Sequence, residues 1–197
     1  MLRSFTSFLI CSMFMVCSLI PFYEKEKVMM ANDVWELMIN SFDYERRRCK
    51  QEFEEICERS SYQLIELRNN NQLQGIVGYW DFSKWIAIEH LAVQKGEDET
   101  QIVPALLEQL LQTTANGVII IAEVDILQNS RGHSIKSLYK KTGFIENPFV
   151  YIQPSYHKGC ASFPQRILSY PSAINYGQFK ELRSLLYRFV YGKKKVI

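Results

Sequence analysis

The sequence predicts an α+β domain built on one mixed, mostly antiparallel sheet with helices packed on it. Three features of the chain predict it. Strand-like alternation and amphipathic helical patterns follow one another along the chain, with a strand–helix–strand unit at the centre. Val118-Ile119-Ile120-Ile121-Ala122 is a continuous apolar run, the pattern of a strand buried on both faces, as parallel strands are. Two helical patterns stop at glycine, one at Asn116-Gly117 and one at Gly143.

Taken in order, Met1 to Ile20 reads two ways. Arg3 followed by an apolar run from Phe5 to Ile20 looks like a secretory signal and is barely long enough to span a bilayer. Ser18-Leu19-Ile20 is a poor cleavage site, however, and five Ser and Thr residues between Ser4 and Ser18 lower the hydrophobicity. Lys50 to Arg59 is helical in pattern, with Phe53, Ile56 and Cys57 on one face. Tyr62 to Leu67 alternates like a strand, Asn69-Asn70-Asn71 is a turn, and Gly75 to Trp80 is the next strand. Asp81-Phe82-Ser83-Lys84 then leads into a strand from Trp85 to Val93, giving a meander. A helix follows over Ile102 to Leu111, then the buried strand Val118 to Ala122, then a helix over Ser134 to Lys141. Phe149 to Gln153 and Arg166 to Tyr170 complete the sheet. The last helix, Asn175 to Val190, buries Phe179, Leu182, Leu186, Phe189 and Val190.

Composition sets the bounds. A chain of 197 residues with 47% hydrophobic and 22% charged residues supports one ordinary core, and disorder is not indicated. The net charge of +2 excludes no partner class, but the positive charge is uneven. After Tyr176 stand Lys180, Arg183, Arg188, Lys193, Lys194 and Lys195 against Glu181 alone, which reads as a solvated basic helix face. Cys11, Cys17, Cys49, Cys57 and Cys160 have no metal-ligand spacing, and their odd number suits reduced thiols in a cytosolic compartment. The three histidines are scattered, so no metal site is expected.

Four short segments point to a function. Glu89-His90-Leu91-Ala92-Val93 lies on a strand, and Tyr139 is followed by Gly143-Phe144 at a helix end. Tyr151-Ile152-Gln153-Pro154-Ser155-Tyr156 opens a loop, and Ser41-Phe42 precedes Glu45-Arg46-Arg47. Together and in this order they resemble a bacterial subgroup of the GNAT superfamily of N-acetyltransferases, over about Val16 to Tyr170. The resemblance implies the GNAT acyl-CoA N-acyltransferase fold, opening with a strand at Val16 to Phe22 and a helix at Ala31 to Phe42. That helix has Asn32 or Asp33 near its start and an apolar stripe of Val34, Trp35, Leu37, Met38 and Phe42. It also implies a division into an apolar extension (1–12), the acyltransferase domain (13–170) and a C-terminal basic helix (171–197), with Met13 or Met15 as the true start.

The resemblance further implies acetyl-CoA as co-substrate and a site at the end of the Glu89 to Val93 strand, where the sheet splays. Backbone groups of Leu91, Ala92 and Val93 would pair with the pantetheine arm. Glu89 would take the proton of the acceptor amine, directly or through water, and Tyr139 would serve the departing thiolate. His90 faces away from Glu89 if the strand is regular and is a packed side chain. Tyr44, Trp80 and Tyr156 are candidates to line the acceptor pocket. The pyrophosphate loop departs from the family pattern. Asp98 stands where an Arg or Gln belongs, and Gln101 and Val103 replace the two glycines, while Thr100 caps the helix and Pro104 falls in its first turn. By the resemblance Asp98, Thr100, Gln101, Ile102 and Val103 would be the residues facing the phosphates.

Two readings follow. One is an acetyltransferase acting on an amine of a small molecule or peptide, with weakened CoA binding. The other is a non-catalytic GNAT-like binding module. Neither calls for nucleic acid or a membrane, and a homodimer is admitted. The expected location is cytoplasmic, the alternative being export or tethering through Met1 to Ile20.

Overall fold

Asn70 and Asn71 both take positive φ (47° and 65°), the left-handed geometry that a two-residue hairpin needs and asparagine tolerates. They close β1 (Tyr62–Asn69) antiparallel onto β2 (Gln72–Asp81). Ser83 (φ 67°) makes the next reversal, its backbone N–H held by the Asp81 carboxylate at 2.7 Å, and leads into β3 (Trp85–Val93). The computed structural model describes residues 32–193 other than 127–129. Val34–Ile197 forms one compact unit. The expected strand at Val16 to Phe22, the 1–12 extension and the alternative starts lie outside the described residues.

From β3 the chain crosses through α3 (Glu99–Thr113) to β4 (Ile119–Asp125), which pairs parallel with β3, as the apolar run predicts. Helix α4 (Ser130–Lys141) ends at Gly143, whose φ of 94° favours glycine. Strands β5 (Ile145–Gln153) and β6 (Phe163–Tyr170) then join as an antiparallel pair. The sheet has six strands in the order β1-β2-β3-β4-β6-β5, all neighbours antiparallel except β3 and β4. It is open and carries a core on each face. One core takes Val34, Leu37 and Met38 from α1 (32–41), Phe53 and Ile56 from α2 (Lys50–Cys57), and Phe179 and Leu182 from α5 (Tyr176–Leu185). The other takes Val103, Leu106, Leu107 and Leu110 from α3 and Leu138 and Tyr139 from α4. Gly78 is needed in the first core, because a Cβ there would collide with the Tyr62 hydroxyl.

Several expectations are corrected. Cys57, the last residue of α2, is exposed rather than packed with Phe53 and Ile56. Phe189 is 45% exposed and Tyr187 is buried instead, because the last helix widens into a π turn over Leu186–Val190 that shifts the buried face. Helix α3 starts earlier than expected, with Asp98 rather than Thr100 as its N-cap. Pro104 therefore lies inside the helix, beyond its first turn. Strand β5 begins upstream of Phe149, since Pro148 is accommodated at the sheet edge, and β6 begins upstream of Arg166, at Phe163.

Candidate active site

Parallel pairing of β3 with β4 ends at Ile88↔Ala122. Beyond that pair the strands part, and a cleft of about 570 Å³ opens between Glu89–Val93 and Glu123–Asp125. The first residue of each strand past the fork is a glutamate, Glu89 on β3 and Glu123 on β4, and both line the cleft. Tyr139 reaches it from α4, Glu99 from the first turn of α3 and Tyr191 from the C-terminal segment.

On β3 a bulge sets the geometry. Gly78 pairs with His90 and Tyr79 with Ile88, so Glu89 has no partner on β2. The bulge brings His90 to the same face as Glu89, which corrects the expectation for a regular strand. The imidazole packs among Phe42, Phe53 and Tyr156 (ring centroids 5.3, 6.3 and 6.3 Å away), 1% exposed and with neither nitrogen hydrogen-bonded. Burial pushes its pKa down to about 4, so it is neutral.

The Glu89 side chain is 1% exposed and fully engaged. Arg48 Nε and Nη2 each lie 3.0 Å from Oε1, Tyr156 Oη donates to the same oxygen at 2.9 Å, and Trp80 Nε1 donates to Oε2 at 2.6 Å. Trp80 and Tyr156, expected to line an acceptor pocket, hold this carboxylate instead. Tyr44 is 56% exposed and stacks on His157, with ring centroids 3.9 Å apart.

Glu123 is in a different state. Its carboxylate accepts from Tyr191 Oη at 3.2 and 3.0 Å, yet burial pushes its pKa up to about 8 and the nearby Glu89 adds to the rise. Sequence reasoning missed it by ending the strand at Ala122. The signal was an acid directly after the apolar run Val118-Ile119-Ile120-Ile121-Ala122. Tyr139 packs edge-on against Phe144 at 5.0 Å, and burial keeps its phenol protonated well above the usual range. Below these groups Asp125 pairs with Arg46 at 2.7 Å and accepts from Gln165 Nε2 at 2.7 Å.

Beyond the fork, Leu91, Ala92 and Val93 pair only with β2, at Val77, Ile76 and Gly75, so the edge that faces β4 carries no ladder. That edge suits an extended arm such as pantetheine. At the α3 N-terminus the Asp98 side chain is engaged by its own neighbours. Asp98 Oδ1 accepts from Thr100 N at 2.9 Å and from Thr100 Oγ1 at 2.7 Å, and Oδ2 accepts from Gln101 Nε2 at 3.1 Å. Ile102 and Val103 are buried under the helix and present no side chain to a ligand. No group of His, Cys, Asp and Glu among the described residues could hold a metal ion, and no described helix is long and apolar enough to cross a membrane.

No protein-family model matches the chain, and no curated protein matches its sequence. Solved structures match its fold. A Bacteroides thetaiotaomicron protein described as an acetyltransferase from the GNAT family superposes with a TM-score of 0.78 at 22% identity, over 86% of this chain and 96% of that one. The ribosomal-protein-S18-alanine N-acetyltransferase of Escherichia coli gives 0.56 at 17%, over 74% and 89%. A variant of the spermidine N-acetyltransferase of Vibrio cholerae gives 0.52 at 12%, over 71% and 88%. The chain has the GNAT acyltransferase fold.

Proposed function

We propose that this protein is an N-acyltransferase that moves an acetyl group from a thioester donor, acetyl-CoA in the first instance, to an amine of a small molecule or peptide. The observation that carries the reading is one open cleft at the β3–β4 fork that holds a carboxyl of raised pKa, Glu123, and a buried phenol, Tyr139. Two of the similar structures have names that specify amine acceptors, a ribosomal-protein alanine and spermidine.

An acyl thioester lying along the free β3 edge supplies an activated carbonyl. Glu123 accepts the proton of the acceptor ammonium so that the amine nitrogen can form its bond to carbon. A base with a pKa near 8 is matched to this task at neutral pH. Tyr139 donates to the sulfur as the carbon–sulfur bond breaks. Among the described residues its hydroxyl makes no hydrogen bond, so it is available as a donor. Glu89 fits the role of base less well, because a proton arriving there would have to displace Arg48, Trp80 or Tyr156. Its proposed role is to hold the bulge that shapes the fork.

The test is release of thiol from acetyl-CoA in the presence of a panel of polyamines and short peptides. Turnover should fall by about 10²–10³ in Glu123→Gln and by a smaller factor in Tyr139→Phe. Unchanged turnover in Glu123→Gln would remove it from the mechanism, and a larger loss in Glu89→Gln with fold retained would transfer the base role to Glu89. A non-catalytic binding module is the second reading, favoured by the occupied α3 N-terminus. It predicts no thiol release with any acceptor.

A further inference from the structure

We infer that the N-terminus of α3 is closed to phosphate by the chain's own residues, with Asp98 as the closing group. The cleft then selects its donor by the acyl-pantetheine end and gains nothing from the nucleotide phosphates. The inference rests on the reading of the cleft as an acyl-donor site.

A helix N-terminus attracts an anion through backbone N–H groups that no carbonyl of the same helix can reach. Here two of those groups already have partners. The Thr100 amide is bound by the Asp98 carboxylate, and the Gln101 amide by the Asp98 carbonyl at 3.0 Å. Just before the cap the Glu97 amide donates to the Gln94 carbonyl at 3.1 Å. The Asp98 carboxylate therefore sits where a phosphate oxygen would, and two hydrogen bonds from Thr100 hold its pKa below the ordinary carboxylate range. Glu97 and Glu99 flank it, Glu97 fixed by Gln74 Nε2 at 3.1 Å and Glu99 lining the cleft itself. The Asp98 carboxylate opposes a partly solvated phosphate by about fivefold in affinity. The side-chain amide of Gln101 is turned onto Asp98, as that of Gln74 is onto Glu97. The β3 edge at Leu91, Ala92 and Val93 carries none of these obstacles.

Pantetheine, 4′-phosphopantetheine and CoA are titrated into the full chain at low salt, with binding read by calorimetry and by ligand-observed NMR, which reaches millimolar affinities. The three dissociation constants should agree within about threefold, and inorganic pyrophosphate should not bind. Asp98→Asn keeps the cap, since asparagine caps as well as aspartate, and removes the charge. It should tighten 4′-phosphopantetheine and CoA by about fivefold and leave pantetheine unchanged. A wild-type preference of tenfold or more for CoA over pantetheine would overturn the inference and leave the acyltransferase reading standing. So would an unchanged ratio in Asp98→Asn. Absence of binding by all three would instead overturn the reading of the cleft as a donor site, and the inference with it.

Discussion

Two side chains beside the fork titrate in opposite directions, His90 in the core and Glu123 half-buried at the cleft. His90 binds its proton in the unfolded chain near pH 6.5 but in the fold only near pH 4. Its contribution to stability is complete above pH 6.5 and is lost as the pH falls towards 4, by roughly 3 kcal/mol. Glu123 runs the other way, its pKa rising from 4.5 to about 8 on folding. Its contribution is complete below pH 4.5 and is lost as the pH rises through 8. Urea midpoints at several pH values should therefore show two limbs. His90→Leu removes the acid limb and, because both ring nitrogens lack partners, raises stability at pH 5. Glu123→Gln flattens the alkaline limb. The rate of acetyl transfer should rise with pH through about 8, and loss of that rise in Glu123→Gln is the check. Neither behaviour was legible in the sequence. The sequence predicts a packed His90 but on the face opposite Glu89, because the bulge at Glu89 arises from pairing with β2 and leaves no local sequence signal.

At the scale of elements, the hairpin, the meander and the central strand–helix–strand unit were legible because their signals are local. The Asn70-Asn71 turn and the run through Ile119-Ile120-Ile121 state their conformations directly. Ends of elements were less legible. The cap of α3 moved from Thr100 to Asp98, and the last helix changed pitch at Leu186, since both depend on what each end packs against. Contact between β1 and β2 supplies a test. Gly78→Ala should cost about 1–3 kcal/mol by forcing the Tyr62 ring aside. Tyr62→Phe should restore part of that loss. In the wild-type background it should be neutral or stabilising, because the Tyr62 hydroxyl is buried without a partner. Chemical denaturation of the two single variants and the double variant measures the coupling.

For the whole molecule, Arg48 joins parts of the chain that are far apart in sequence. It binds Glu89 on β3 and donates to the Val190 carbonyl in the C-terminal π turn, while Tyr156 reaches the same carboxylate from the β5–β6 loop. With Arg48 11% and Glu89 1% exposed at the side chain, Arg48→Met strands a buried carboxylate. It should cost about 3–5 kcal/mol, much of it recovered by adding Glu89→Gln. A urea midpoint that does not move would show that the pair is solvated. The sequence by itself determined the strand and helix order, the mixed sheet and the neighbourhood of Glu89 and Tyr139, because hydrophobic periodicity, turn residues and short motifs are written in consecutive residues. Only the tertiary structure decided that Glu89 is held by Arg48, Trp80 and Tyr156 while Glu123 keeps a raised pKa, and that Asp98 closes the end of α3. Those states depend on burial and on partners up to 68 positions away, as Tyr191 is from Glu123, and distance along a chain carries no record of distance in space.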